Sequence, residues 1–201
     1  FVVALIWFLR KYQDGRYCTL PHVIELMQVE TEKLFTILQT ELEILPYIRP
    51  FINAYLAGAA EQLEGQLDAA KIGIARLASP TLYYVLSGND FSLDVNNPQA
   101  PKILCLANNP QKQDVYGPVL SLYLTRISKI INRKNQQKCA VVIDEFATVT
   151  FMGLDNQIAT GRSNLITTIL ALQSDSQLRL HYGKEWADVV LNICGNIIVG
   201  Q

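Results

Sequence analysis

Residues 139–149 read CAVVIDEFATV, in which four apolar residues, Ala140 to Ile143, run without a break into two carboxylates, Asp144 and Glu145. An apolar run with no polar alternation predicts a strand buried on both faces, and ligands of open α/β sheets gather where such strands end. A carboxylate pair at that point suits hydrolysis of a nucleoside triphosphate. Asp144 would hold Mg²⁺ through water, and Glu145 would orient and deprotonate the attacking water. The plainer account of both is an acidic strand end in solvent. Gln173 closes a second apolar run, LITTILALQ (165–173). If the two runs are neighbours in a parallel sheet, Gln173 stands one strand spacing, ~4.8 Å, from the Asp144 end. Its amide could sense a γ-phosphate or position water there; otherwise it is a glutamine at a helix entry. Arg162, in ATGRSN, precedes the second run and so belongs at the opposite edge of the sheet. From there it cannot easily serve its own nucleotide, but it could reach that of a neighbouring subunit as an arginine finger. The bland alternative is a solvated loop arginine.

Such a site also needs backbone N–H groups to cradle phosphates, and no G-x-x-x-x-G-K-[ST] occurs in the chain. Gly183-Lys184 is followed by Glu185 and falls inside a predicted helix. Without a phosphate loop this stretch is expected to bind no triphosphate tightly, whatever its carboxylates do.

Composition narrows the class. The chain has 201 residues, half of them hydrophobic and 17% charged, with 17 basic against 18 acidic side chains. That balance lacks the basic footprint of an autonomous DNA-binding domain, so nucleic-acid contact would be local or built from several copies. Four cysteines and two histidines are scattered without metal-ligand spacing, and three of the cysteines sit in apolar runs that suit burial in a reducing compartment. The opening FVVALIWFL stops at Arg10 and Lys11, too short for the ~20 residues of a membrane span. It begins in mid-element and is expected to belong to a longer protein.

The elements that must position these residues fall into two parts. Residues 1–80 carry helical signals. Phe1 to Tyr12 is read as a helix stopped by Asp14-Gly15, and a second is capped by Thr19 with Pro21 in its first turn. A third, capped by Thr31, carries Leu34, Leu38 and Leu42 on one face; after Pro46 and Pro50 a single long helix is expected from about Phe51 to Leu77. From Ser79-Pro80 onward strands alternate with helices: strands at 101–108, 140–144, 165–173 and 196–201, helices at about 117–132 and 174–194. Residues 82–98 are read as a linker with FSLDV as an edge strand, although Tyr83, Tyr84 and Phe91 could stack on bases. Lys129, Arg133, Lys134 and Lys138 form a modest basic cluster at a helix end. The architecture expected is an all-α domain, 1–80, followed by a partial parallel α/β domain, 81–201.

The order VVIDEF, ATGRSN, ALQSDSQLRLHYG, NIIVGQ resembles type IV coupling proteins, the TraG/TraD-like conjugation ATPases, and most closely those of Bacteroides-type conjugative elements. The LQSxxQLxxxYG segment after a DE strand is its most telling piece. The resemblance implies a partial RecA-like domain, a P-loop NTPase fold lacking its Walker A part, preceded by a helical bundle. It implies that Asp144 and Glu145 are the Walker B pair, that Gln173 contacts the γ-phosphate and that Arg162 is offered to the adjacent subunit of a homohexamer. It implies ATP and Mg²⁺ as cofactors of the parent protein. It implies single-stranded DNA, relaxase, relaxosome proteins and a type IV secretion channel as partners, at the cytoplasmic face of the bacterial inner membrane. The Walker A loop and membrane anchor would lie N-terminal to Phe1, and residues 1–80 would meet the relaxosome. Two rival expectations remain: a protein-binding adaptor recognising the relaxosome, or a secretion or chromosome-translocase ATPase.

Overall fold

The opening apolar run folds as helix α1 (Val2–Lys11), which buries Ala4, Leu5, Phe8 and Leu9 and leaves Val3, Ile6 and Trp7 outward. The computed structural model describes residues 1–200. Helix α1 ends where Gln13 and Asp14 adopt positive φ. The first of two units, Phe1–Asp90, is all helical. Helix α2 (Leu20–Met27) has Pro21 in its first turn, but the hydroxyl of Thr19 caps no backbone N–H; it lies 2.6 Å from Nδ1 of His22. Helix α3 (Thr31–Leu38) takes Glu30, not Thr31, as its N-cap and stops before Leu42, which is exposed in a 3₁₀ turn.

The long helix expected from Phe51 is two helices. Helix α4 (Leu45–Leu56) carries Pro50 inside it, at the expense of one backbone bond, and the break falls at Gly58 before α5 (Ala60–Ala75). Leu63 and Leu67 are buried on α5, and Ala70 and Ile74 pack partly on the core that α1 to α4 build around Leu5, Met27, Leu34, Leu38, Ile44 and Ile48. The supposed linker after Ser79 is helical: Ser79 accepts from Leu82 N–H at 3.3 Å and caps α6 (Pro80–Ser87). Tyr83 on this helix lies 3.5 Å from both Nε2 of His22 and a Glu25 carboxylate oxygen.

The second unit is Phe91–Gln201. FSLDV forms no strand; its segment is tied down by buried Asn96, whose amide donates to Ile131 O at 3.0 Å, and by an Arg133–Asp94 ion pair at 2.8 Å. Helix α7 (Gln113–Ile131) leads to strand β1 (Cys139–Ile143). Helix α8 (Leu154–Gly161), in what reads as loop, connects it to β2 (Ile166–Leu170). The two strands are parallel, in register from Cys139 opposite Ile166 to Ile143 opposite Leu170. The single helix expected after Gln173 is two, α9 (Asp175–Tyr182) and α10 (Lys184–Ile193). They part at Gly183, whose φ of 85° with ψ of 154° is open to glycine alone.

The runs 101–108 and 196–200, expected as strands, have no ladder partner among the described residues and are not strands; Gln201 lies outside them. Apolar character alone cannot make a strand, because its backbone groups must be paired. One face of the sheet is covered: Val141, Ile143 and Leu170 pack with Phe146, Phe151, Leu154, Leu178 and Val190. On the other face Val142 and Ile169 are half exposed or more, so β1 is not buried on both sides as the apolar run predicts. The cysteines also depart from expectation. Cys105 is exposed and Cys18, Cys139 and Cys194 are only partly covered, all four as free thiols.

Candidate functional site

The ladder between β1 and β2 runs on past Leu170 with a defect at its end. Ala171 N–H donates to Ile143 O at 2.9 Å, and Phe146 N–H donates to Ala171 O at 3.0 Å. In a regular parallel pair that second donor would be residue 145, so Asp144 and Glu145 together form a one-residue bulge. Glu145 completes the bulge in the left-handed region, at φ 49° and ψ 45°. That conformation costs a non-glycine residue about 1–2 kcal/mol and persists only where neighbours hold it. Here they do: Asp144 Oδ1 accepts from Glu145 N–H at 3.0 Å, and Glu145 O accepts from Thr148 N–H at 2.8 Å and Thr148 Oγ1 at 2.9 Å.

The bulge has a consequence for side chains. Gln173 Nε2 donates to Glu145 Oε1 at 3.2 Å, so the structure brings together the two groups that the sequence places at adjacent strand ends. Both are exposed, as is Asp144. Arg162 opens a 3₁₀ turn (Arg162–Asn164) just before β2, at the other edge of the sheet from the carboxylates. It does not join the Asp144–Glu145–Gln173 group.

Sequence reasoning misses the clamp beneath this group. After Glu145 the chain makes a short turn, Phe146–Thr148, and continues through Val149 to Phe151. The Tyr182 hydroxyl donates to Val149 O and accepts from Phe151 N–H, the latter at 2.9 Å. Its ring stacks on Trp186 at 4.2 Å between centroids and on Phe146 at 5.2 Å. Burial pushes the Tyr182 phenol up to about 12, against a smaller lowering by the Phe151 N–H. The phenol therefore stays neutral and can donate and accept at once. The available signal was the pair Tyr182 and Trp186, four residues apart in an otherwise polar stretch.

The clamp accounts for five positions of the LQSxxQLxxxYG pattern. Gln173 holds Glu145, Ser174 accepts from Gln177 N–H at 3.3 Å to cap α9, and Leu178 is fully buried. Tyr182 ties down the segment after Glu145, and Gly183 makes the break that lets α10 fold back.

The donor set can be weighed against Mg²⁺ and a nucleotide. Mg²⁺ keeps several waters and takes one or two carboxylates plus substrate phosphates, which fits Asp144 beside Glu145. No cluster of three or more His, Cys, Asp or Glu able to cage a metal exists among the described residues. The residues thus fit the metal and water half of a hydrolytic site, while no phosphate-cradling loop accompanies them. No helix among the described residues is long and apolar enough to cross a membrane.

Residues 138–201 match the family described as the TraM recognition site of TraD and TraG. No curated protein matches the chain. Among solved structures it is similar to the bacterial conjugative coupling protein TrwBdeltaN70 in complex with sulphate, with a TM-score of 0.72 and 18% identity over 96% of this chain and 44% of that one. It is similar also to the plasmid coupling protein TrwB in complex with ADP and Mg²⁺, with a TM-score of 0.70 and 17% identity over 95% and 45% of the two chains. The complex of TrwB with the non-hydrolysable GTP analogue GDPNP gives 0.70 and 18% over the same shares. The chain spans less than half the length of these structures. Residues 138–201 thus resemble the TraG/TraD family, and the chain as a whole shares the fold of the corresponding part of TrwB, a helical part followed by part of a parallel α/β domain.

Proposed function

We propose that this chain is the helical domain and the Walker B half of a conjugative DNA-transfer motor, a hexameric ATPase that pumps single-stranded DNA and attached relaxase into a type IV secretion channel. The observation that carries the reading is the 3.2 Å hydrogen bond from Gln173 to Glu145 at the bulged end of β1. It supports a general base held at the sheet edge where a nucleotide would lie. In this reading Asp144 holds Mg²⁺ through water, and Glu145 takes the proton of the attacking water. Gln173 orients Glu145 and reports the γ-phosphate, and Arg162 acts on the nucleotide of the adjacent subunit. The phosphate loop comes from a part of the protein outside this chain, as does a membrane anchor at the inner face of the cytoplasmic membrane. Nucleotide and Mg²⁺ binding by TrwB supports the same cofactors here.

Glu145→Gln in the complete protein tests the reading. Hydrolysis is expected to fall at least ~10²-fold while ATP binding survives, because only the proton acceptor is lost. Turnover at the wild-type rate would sink the assignment.

A second reading draws on the family description as a TraM recognition site, which covers residues 138–201. Under it, a relaxosome protein docks on this segment, alongside or instead of the helical unit that the resemblance favours. Hydrogen exchange of the intact chain with a TraM-type partner separates the two, by protection within 138–200 or within 1–90.

A further inference from the structure

Besides Gln173 and Tyr182, a third side chain reaches the backbone around Glu145, and it comes from the start of α7. Asn109 and Pro110 set it there. Pro110 begins a 3₁₀ turn (Pro110–Lys112), and Asn109 Oδ1 accepts from Gln111 N–H at 2.9 Å to cap it. The turn delivers Gln113 as the first residue of α7, whose own N-terminus the Gln113 side chain does not cap. Instead Gln113 Nε2 donates to Thr148 O, and Gln113 Oε1 accepts from Asn108 Nδ2 at 2.8 Å. Chemistry fixes which way this amide points. A backbone carbonyl can only accept, so the Gln113 nitrogen must face Thr148 and its oxygen must face the Asn108 amide nitrogen.

Thr148 links this relay to the carboxylate. Its N–H and its Oγ1 both donate to Glu145 O, at 2.8 Å and 2.9 Å, and so help to hold Glu145 at φ 49°. Thr148 is itself exposed, and its carbonyl receives no backbone N–H among the described residues, so Gln113 is what fastens it. The other end of the relay is rigid. Helix α7 runs for 19 residues, and Ile127 and Ile131 near its end are buried in one cluster with Ile166 of β2. The turn after Glu145 is therefore fixed on the α7 side by Gln113 and on the α9 side by Tyr182, at neighbouring carbonyls, Thr148 O and Val149 O.

We infer that Gln113 is a positioning residue for hydrolysis: acting through Thr148, it fixes the backbone of Glu145 and with it the direction in which that carboxylate meets the attacking water. The inference rests on the hydrolase reading above and adds to it a residue from a different element of the fold.

The test uses the complete protein with ATP. Gln113→Met keeps the length of the side chain and removes both bonds. Its kcat is expected to fall about 10–100-fold with KM for ATP within about 3-fold of wild type, because the base is misaligned while no contact with the nucleotide is lost. Gln113→Glu keeps the acceptor for Asn108 and loses only the donor to Thr148 O, so it should fall as far. Wild-type turnover by Gln113→Glu would overturn the inference. So would a raised KM at unchanged kcat, which would put Gln113 on the nucleotide itself. The double variant is decisive. With Glu145→Gln already in place, Gln113→Met should cost nothing further, since the base it aligns is gone; a second loss by the same factor would mean general damage to the fold and overturn the inference. Glu145→Gln alone separates the two levels. Wild-type turnover by that variant overturns the hydrolase reading, whereas its loss beside wild-type turnover by Gln113→Met overturns the role of Gln113 alone. In the present chain, hydrogen exchange at the Thr148 amide should accelerate on the order of 10-fold in Gln113→Met while the Ala171 amide in the ladder stays protected, and an unchanged Thr148 amide would break the proposed link.

Discussion

Tyr182→Phe removes one oxygen atom and leaves the ring in place, so its effect can be worked from two hydrogen bonds. The hydroxyl donates to Val149 O and accepts from Phe151 N–H at 2.9 Å, both partly buried. Without it one backbone carbonyl and one N–H lose their partner. A net hydrogen bond is worth about 1 kcal/mol, and a stranded buried group costs about 1–3 kcal/mol. Partial exposure lets water replace some of this, which gives a loss of about 1–3 kcal/mol for the pair. The stacks on Trp186 and Phe146 remain, so no cavity cost is added.

The assay follows from where the tryptophans stand. Trp7 lies in the first unit and is 42% exposed on α1, whereas Trp186 stacks on Tyr182 itself. In a Trp7→Phe background, urea unfolding followed by tryptophan emission therefore reports the second unit alone. With a slope of about 2 kcal/mol/M, the midpoint should fall by roughly 0.5–1.5 M at unchanged slope. Hydrogen exchange at the Phe151 amide should accelerate by the corresponding factor, about 5-fold to 150-fold. A midpoint shift below ~0.2 M, with Phe151 still protected, would refute the clamp.

Two other outcomes follow from the same corner of the fold. The Tyr182 phenol is pushed up to about 12 from an ordinary 10.0, so the folded state holds its proton more tightly than the unfolded chain. The stability this contributes is complete below pH 10 and is lost as pH rises from 10 to 12; the wild-type midpoint should fall more steeply across that window than that of Tyr182→Phe, and equal slopes would count against it. Gly183→Ala meets no atom within 4 Å of the new Cβ, so its cost is backbone strain alone, about 1–3 kcal/mol, read by the same Trp186 unfolding curve; no loss would mean that α9 and α10 can part at another angle.

Legibility in the sequence follows the range of the interaction concerned. The run Ala140–Ile143 announced β1 because burial on one face is enough to demand apolar residues, and parallel neighbours must end at the same edge, which placed Gln173 by Glu145. The bulge was not legible. It depends on which N–H reaches Ala171 O, a bond between segments 25 residues apart that no local pattern encodes. Residues 101–108 and 196–200 show the converse error, where apolar character stands in for a pairing that is not there. Helix α8 escaped because LDNQIATG carries few apolar residues and is bounded by Gly153 and Gly161, which read as loop. The single helices expected across Gly58 and Gly183 failed because periodicity continues through a break when both halves face one core.

The Gln173–Gly183 segment acts on Glu145 from two sides at once. From one side, Gln173 donates to the Glu145 carboxylate; from the other, Tyr182 fixes the backbone four to six residues beyond it. Between them α9 is a short rigid spacer, capped by Ser174 and anchored by buried Leu178. Glu145 sits in a left-handed conformation that no helix or strand would hold for it. Asp144 and Thr148 hold its backbone locally, and these two attachments add the longer-range restraint, which makes the spacing between Gln173 and Tyr182 a geometric requirement of the carboxylate. A residue inserted into α9 would rotate Tyr182 by about 100° around the helix axis relative to Gln173 and break one attachment to keep the other. On the hydrolase reading, such a chain would keep its fold and lose the alignment of its base, whereas the same insertion in the exposed loop after Ile131 should leave both attachments in place.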